Sequence, residues 1–479
     1  MTTRPDIVLF LTDQQRFDQV GYGSGGHFET PNLDRLARSG VIFENAYSAS
    51  TVCVPARVAL LTGFEPHRVP TQENPFALRE GFWTLAHELR SAGYETALIG
   101  KAHFAPVHAQ HGFETLRLCE HLSAQGLGPL SRERDDELDD YHDWLLARGY
   151  PDWRFEEARP ASTPGPVHVF PYGPEAHPTG WVEREATELL DRRVRSRPLF
   201  LVVSFPHPHA PYNPPEPYAS MFDPADARVP DGGFEVNEGL PLVCQLALGN
   251  AKTRAAAADE QHLRRLLATV RGLIKHIDDA IGRVVARLDL ASTLVAFTSD
   301  HGDYAGHRGL LRKTPWMPFD DLARVPLFYA GHGIVGGRLL PDLVQSYDFA
   351  LTALAYAGVQ PRLDDFDGRS LRPILTAPAH AADHDRPVFS CIGMGWPMVR
   401  HGSCKYFVHA QQQTPVLFDL DHDPAERVNL VDDPHYAAVK ADLSERLVER
   451  VAKPSLAHLD VGVAPRRAVS APVAGSHPG

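Results

Sequence analysis

The chain has 479 residues, 43% of them hydrophobic, and 47 basic against 60 acidic side chains give a formal net charge of −13. That length admits a large α/β domain with an appendage, and the apolar share is enough for a sizeable core. The acidic balance, with no dense Lys/Arg run, excludes a nucleic-acid binder, and no segment approaches the roughly 18 apolar residues that would span a bilayer.

In chain order, "DIVLFLTD" reads as a buried strand from its length and β-branched content. Its apolar run from Ile7 to Leu11 is too short for a signal-peptide core. "TPNLDRLARSG" follows as a helix, with Asn32, Leu33, Leu36 and Ala37 at helical spacing and Gly40 as its stop. "PARVALLTG" opens another helix, Pro55 being tolerated in the first turn and Gly63 ending it. "FWTLAHELRSAGY" is a helix and "ETALIG" a strand. "WVEREATELLDRRVRSRP" is a helix before the strand "LFLVVSF", and "LRRLLATVRGLIKHIDDAIGRVVARLD" is a long helix before the strand "TLVAFTSD". This alternation predicts an α/β fold with a large, mostly parallel sheet sandwiched by helices.

The pattern breaks between Cys119 and Gly180, where an acidic stretch meets Pro/Gly-rich sequence. An insertion of this kind shapes the substrate pocket or is a surface excursion, with Tyr141, Trp144, Trp153 and Tyr172 either walls or ordinary packing. The expected organisation is a catalytic domain over 1–375, a small C-terminal α+β subdomain with an antiparallel sheet over 376–463, and a disordered tail over 464–479. The five cysteines (Cys53, Cys119, Cys244, Cys391, Cys404) are odd in number and scattered, which suits a reducing compartment. The expectation is a soluble, cytoplasmic protein without membrane or nucleic-acid partners.

Ligands of open parallel sheets bind beyond the carboxyl ends of the strands. There the chain offers Asp13, Gln14 and Gln15 after the first strand, Lys101 and His103 after the second, His207 and His209 after the third, and Asp300 and His301 after the fourth. One Asp after a strand is ordinarily a turn or cap residue; four strands each delivering such groups to one edge is not turn chemistry. Two carboxylates from separate strands can sit together only with a cation or a shared proton. Oxygen-rich donors point to Ca²⁺, Mg²⁺ or Mn²⁺ rather than Zn²⁺, and the histidine makes Mn²⁺ a competitor to Ca²⁺. Arg57, Lys101 and Lys313 can stabilise a tetrahedral oxyanion, and His103 and His209 can transfer protons. The residues alone therefore indicate metal-assisted hydrolysis of a sulfate, phosphate or phosphonate ester.

Cys53 starts the helix that ends at Gly63, where the helix dipole favours an anion. A small buried residue is the ordinary reading, and a thiolate nucleophile is the other. A soft thiolate suits a hard, oxygen-ligated metal badly. Cys53-Val54-Pro55-Ala56-Arg57, with Leu61-Thr62-Gly63 behind it, resembles the signature of the sulfatase family within the alkaline-phosphatase superfamily. "IGKAHF", "SFPHPHAPYNPP", "TSDHGDYAGHRGLLRKT", "RVPLFYAG", "FDGRSL" and "LFDLDHDPAERVNL" look like further family segments in the family's order.

The resemblance implies that a formylglycine-generating enzyme oxidises Cys53 to formylglycine, whose hydrated form is the oxygen nucleophile. Asp13, Gln14, Asp300 and His301 would bind one divalent metal together with modified Cys53. Arg57 would hold the diol, Lys101 and Lys313 the sulfate, His209 would protonate the leaving alcohol, and His103 would take the proton that lets sulfate depart. It also suggests a homo-oligomer. Many sulfatases have Asp-Asp at Asp13-Gln14 and Asp-Asn at Asp300-His301, so the pairs here resemble the branch with choline sulfatases and phosphonate monoester hydrolases. The phosphonate hydrolases replace the lysine and histidine matched by Lys101 and His103, which favours a small-molecule or saccharide sulfate ester over a phosphonate monoester or phosphodiester. A non-catalytic metal-binding relative with unmodified Cys53 is the rival from another class.

Overall fold

The computed structural model describes residues 4–69, 71, 78–79, 81–104, 106–120, 139–150, 167–230, 239–250, 259–361, 363, 365–380, 383 and 385–456. Trp153, the tail from residue 464 and much of the expected insertion lie outside these residues.

Eight strands form the main sheet: β1 (Asp6–Asp13), β2 (Val41–Tyr47), β3 (Glu95–Gly100), β4 (Thr115–Leu118), β5 (Leu199–Pro208), β6 (Thr293–Ser299), β7 (Arg324–Gly331) and β8 (Arg338–Gln345). Their order is β4-β3-β5-β1-β6-β7-β2-β8. The pairs β3–β4, β3–β5, β1–β5, β1–β6 and β2–β8 are parallel, whereas β7 is antiparallel to both β6 and β2. The sheet is thus mostly parallel, as expected, with one reversed strand.

Central strands are apolar throughout because both faces are covered. Along β1, Ile7, Leu9 and Leu11 point into one core and Val8 and Phe10 into the other. The first core is closed by the helices Cys53–Thr62, Leu85–Ser91 and Asp348–Ala357, through Val58, Leu89 and Phe349 among others. The second is closed by Pro31–Arg38, Asp140–Ala147, Pro178–Arg192 and Glu260–Val285, through Leu33, Leu145, Trp181 and Ile281. Each such fully buried side chain contributes roughly 1.5–3 kcal/mol relative to exposure.

Within the stretch expected either to shape the substrate pocket or to be a surface excursion, the described residues include a helix. Asp139 caps the helix Asp140–Ala147 by accepting from His142 N at 2.9 Å, and Asp140 accepts from Leu118 N at 2.7 Å. Tyr141 is fully buried against Trp144 and Trp181, which favours packing over a pocket wall for that residue. Tyr172 packs against Phe170 and Tyr150.

A second sheet, ordered β12-β11-β10-β9, is antiparallel: β9 (Val388–Ser390), β10 (Met398–His401), β11 (Cys404–His409) and β12 (Thr414–Asp419). One face packs on the closing helix Ala437–Val451 through Leu443 and Leu447. The other face puts Phe407 and Phe418 against Phe319 of the main body. Among the described residues no helix is long and apolar enough to cross a membrane. All five cysteines are free.

Candidate active site

The site lies where β1, β3, β5 and β6 end. The register of β1 against β5 shifts between Thr12 and Asp13, so that Asp13 pairs with Pro208 rather than continuing in step. This shift brings His209 beside β1, where its N–H donates to the Asp13 carbonyl at 3.0 Å. On the other flank Asp300 N donates to Thr12 O at 3.1 Å, fixing the loop after β6 to β1.

The helix Cys53–Thr62 enters across these strand ends. Gly63 stops it in a left-handed conformation (φ 70°), and all ten of its residues are buried. Asp13, Cys53, Asp300 and His301 each direct one donor atom into a group whose members lie within 4.8 Å of one another. Gln14, held at φ 66°, joins them: its backbone N–H donates to Asp300 Oδ1 at 3.0 Å and its Nε2 to Asp303 Oδ2 at 2.6 Å. With its amide nitrogen engaged, the buried Oε1 is left without a hydrogen-bond partner. An orphaned buried oxygen is costly unless something binds it, and a cation would do so. His301 Nδ1 lies 2.9 Å from the Gly302 carbonyl, which can only accept, so Nδ1 carries a proton and Nε2 is the ring atom that the neutral form would offer to a cation. The donor set of carboxylate, amide and imidazole atoms fits a hard divalent cation.

Arg57, one turn after Cys53, ties these strands together. Its Nε donates to Asp300 Oδ2 at 2.9 Å, Nη2 to Asp13 Oδ2 at 3.1 Å, and Nη1 to Lys101 O and Ser204 Oγ at 2.7 and 2.8 Å. Lys101 Nζ lies 2.5 Å from Asp13 Oδ2, and Lys313 Nζ lies 2.6 Å from Cys53 Sγ and 3.1 Å from His301 Nε2. Desolvation and Asp13 both push the Cys53 thiol up, but Lys313, His301 and Lys101 together hold it well below the usual thiol range. Desolvation likewise raises Asp13, yet Lys101, His209, Arg57 and Lys313 keep it well below the carboxylate range. Asp300 is pushed up by burial and by Asp13, with His301 and Arg57 opposing the rise.

The two other histidines flank this centre. His209 Nδ1 lies 2.7 Å from Ala210 O, which fixes the orientation of the ring. Burial pushes its pKa down to about 3, opposed by Asp13. His103, at φ 62°, is lowered by burial and by Lys101, while the Cys53 thiolate pulls the other way. The loop that carries it is anchored by Glu120, whose carboxylate accepts from Ala102 N at 2.8 Å and from His103 N at 2.9 and 3.0 Å. All ten predicted site residues therefore converge. His207 instead is fully buried and stacks on His177 at 4.6 Å. Ser204, Glu120 and Asp303 were not singled out in the sequence. Glu120 follows the short strand β4 and was legible by the strand-end rule once β4 is recognised; Ser204 reads as core within "LFLVVSF".

A cation-ready cluster at the carboxyl edge of a helix-covered sheet, facing a helix-borne residue 53 set among lysines, is the architecture of the alkaline-phosphatase and sulfatase hydrolases. The sulfatase family model matches residues 5–359. An arylsulfatase of Clostridium perfringens is 30% identical over 456 residues, covering 90% of this chain and 91% of its own. A choline-sulfatase of Rhizobium meliloti is 29% identical, with 93% of this chain and 86% of its own covered. Among solved structures, the phosphonate monoester hydrolase of Agrobacterium radiobacter aligns with a TM-score of 0.77 at 25% identity, covering 93% of this chain and 95% of its own. The chain belongs to the sulfatase family, a family of sulfuric ester hydrolases.

Proposed function

We propose that the protein hydrolyses a sulfate ester to an alcohol and inorganic sulfate, with a formylglycine formed from Cys53 as nucleophile. The observation that carries this reading is the position of Cys53 Sγ: it lies 2.6 Å from Lys313 Nζ and 3.1 Å from His301 Nε2, inside a cluster of hard oxygen donors. In that place the sulfur stands in for an oxygen. Formylglycine supplies an oxygen nucleophile that a generating enzyme must install during maturation. Asp13, Gln14, Asp300 and His301, with residue 53, would hold one divalent cation, Ca²⁺ first and Mn²⁺ or Mg²⁺ as competitors, and that cation supplies Lewis acidity toward the ester oxygens.

The protein's own groups then divide the work. Arg57 is fixed by four hydrogen bonds and orients the side chain at position 53 while offsetting the charge of Asp13 and Asp300. Lys101 and Lys313 bind the sulfate oxygens from two sides and stabilise the added charge of the transition state. His209 Nε2 delivers a proton to the leaving oxygen; an anionic ester bound beside it raises its pKa from the low value that burial imposes. His103 receives the proton released at residue 53 when sulfate leaves.

Phosphonate monoesters or phosphodiesters are the second reading, favoured by the Gln14 and His301 ligand pair and by the similarity in fold to a phosphonate monoester hydrolase. Both substrates are tetrahedral oxyanions, so charge alone does not separate them. A panel of matched sulfate and phosphonate esters does: a higher kcat/KM for sulfate supports the first reading, and a reversed order replaces it with the second.

The direct test of the nucleophile is the mass of the tryptic peptide Ser39–Arg57 from protein co-expressed with a formylglycine-generating enzyme. An aldehyde at position 53 is expected. Cys53→Ala should abolish turnover with the fold intact, and undiminished hydrolysis by that variant would refute the mechanism.

A further inference from the structure

The chain leaving β3 carries Lys101 and His103 to the site, and the two are held by different partners. Lys101 N donates to Ser204 O at 2.9 Å, and the Lys101 carbonyl accepts from Arg57 Nη1 at 2.7 Å. The next two residues are held by Glu120. Its Oε1 accepts from Ala102 N at 2.8 Å and from His103 N at 3.0 Å, and its Oε2 accepts from His103 N at 2.9 Å. His103 sits there at a left-handed φ of 62°. A residue with a Cβ stays in that region only where its surroundings impose it, and such positions concentrate at functional sites.

Glu120 is buried and is itself fixed from two sides. The residue before it, Cys119, donates its N–H to Gly100 O at 3.1 Å, which extends the pairing of β4 with β3 to the end of both strands. Glu120 N donates to Asp139 Oδ2 at 2.6 Å, and Asp139 Oδ1 accepts from His142 N at 2.9 Å, capping the helix Asp140–Ala147. A continuous line of hydrogen bonds therefore runs from the inserted stretch to the backbone of His103. At the end of that line the His103 side chain hydrogen-bonds the side chain at position 53.

We infer that Glu120 is a positioning residue for the second half of the reaction, holding the His103 backbone so that the ring meets residue 53 when sulfate leaves. In that step the free hydroxyl of residue 53 gives its proton to His103, the O–H electron pair forms the aldehyde C=O, and the C–O bond to sulfate breaks with its electrons going to sulfate. Lys101 has anchors of its own in Ser204 and Arg57. Loss of the Glu120 carboxylate therefore leaves the transfer of sulfate to residue 53 intact and slows its release. This inference rests on the formylglycine and sulfate-ester reading above.

The test uses 4-nitrophenyl sulfate, whose good leaving group makes the first half fast, and aldehyde-bearing protein. In Glu120→Ala kcat should fall about ten- to a hundredfold, the scale set by a misplaced catalytic group. KM should fall by the same factor, because kcat/KM reports only the steps up to release of the nitrophenol. A burst of nitrophenol stoichiometric with the aldehyde should precede the slow steady state. Glu120→Gln, whose amide oxygen can take the place of Oε1, should retain most of kcat. Hydrogen exchange of the unmodified protein, read by mass spectrometry, gives a measure independent of turnover: in Glu120→Ala the amides of Ala102 and His103 should lose protection while that of Lys101 keeps it. Unchanged kcat in Glu120→Ala, a kcat/KM that falls as far as kcat, or unchanged protection at Ala102 and His103 overturns the role. If Glu120→Ala fails to fold, Glu120→Asp, whose carboxylate stops one methylene short of the two amides, decides by the same measurements. No release of nitrophenol by aldehyde-bearing wild type would overturn the sulfate-ester reading itself, and the role of Glu120 with it.

Discussion

Asp303 accepts four hydrogen bonds: from Gln14 Nε2 at 2.6 Å, Tyr212 Oη at 3.2 Å, Ala305 N at 2.6 Å and Arg312 N at 3.0 Å. The first of these engages the Gln14 amide nitrogen and so leaves Oε1 as the end available to the proposed cation. Asp303→Asn replaces one acceptor oxygen with a donor and lets that amide turn. Affinity for a divalent cation should then weaken about 10- to 100-fold, as is usual when a ligand's supporting partner is lost. Calorimetric titration with Mn²⁺ reads this directly, and unchanged affinity would show that Gln14 needs no such support. This residue also marks where the sequence stops being legible. Asp13, Lys101, His209 and Asp300 were readable because each follows a strand whose continuous apolar run announces it. Ser204 and Asp303 act only through partners that the folded chain brings from elsewhere, Arg57 and Gln14, and no local pattern encodes those meetings.

At the scale of elements, the strand β3 places Lys101 and His103 only because Gly100 lets it lie against β5. Gly100 has φ 102°, and a Cβ there would sit 1.8 Å from the Ser204 carbonyl oxygen. Backbone cannot yield as a flexible side chain does, so Gly100→Ala must separate β3 from β5 just where Ser204 and Lys101 hold Arg57. Gly93 also has a left-handed φ, 91°, but nothing lies within 4 Å of the Cβ it would gain. Gly93→Ala should therefore cost only the conformational penalty, about 1 kcal/mol, and Gly100→Ala several times more. Chemical denaturation of the two variants checks this; equal losses would mean that β3 and β5 part without cost. The four central strands were recognisable for the same reason that they are close-packed, being apolar on both faces. The reversal of β7 was not, since periodicity reports burial and carries no strand direction. β2 was also missed: a bulge between Phe43 and Ala46 interrupts its pairing, and polar Glu44 and Asn45 break its apolar run.

Across the whole molecule, the C-terminal helix Ala437–Val451 is tied to the body at the far end of the helix that begins at Cys53. Glu65, just beyond that helix, accepts from Arg450 Nε and from Tyr347 Oη, both at 2.9 Å. Asp367 pairs with Arg68, Arg450 and Lys453 at 3.1, 3.4 and 2.9 Å. A buried network of this kind fixes how parts are oriented more surely than it adds stability. Glu65 shows the cost. Burial raises its pKa from the ordinary 4.5 to about 7, with Asp367 adding to the rise and Arg450 opposing it. Because the folded-state value lies above the unfolded one, its contribution is fully present below the unfolded pKa and is lost as pH rises through about 7. Glu65→Gln keeps an acceptor for Arg450 and Tyr347 but cannot ionise. Between about pH 5 and pH 8 the variant should therefore lose less stability than the wild type, by on the order of a few kcal/mol. Urea denaturation of both proteins at the two pH values measures the difference. Parallel losses would mean that Arg450 holds Glu65 ionised across the whole range, and that the junction between the C-terminal helix and the catalytic body is a permanent ion pair rather than a titrating one.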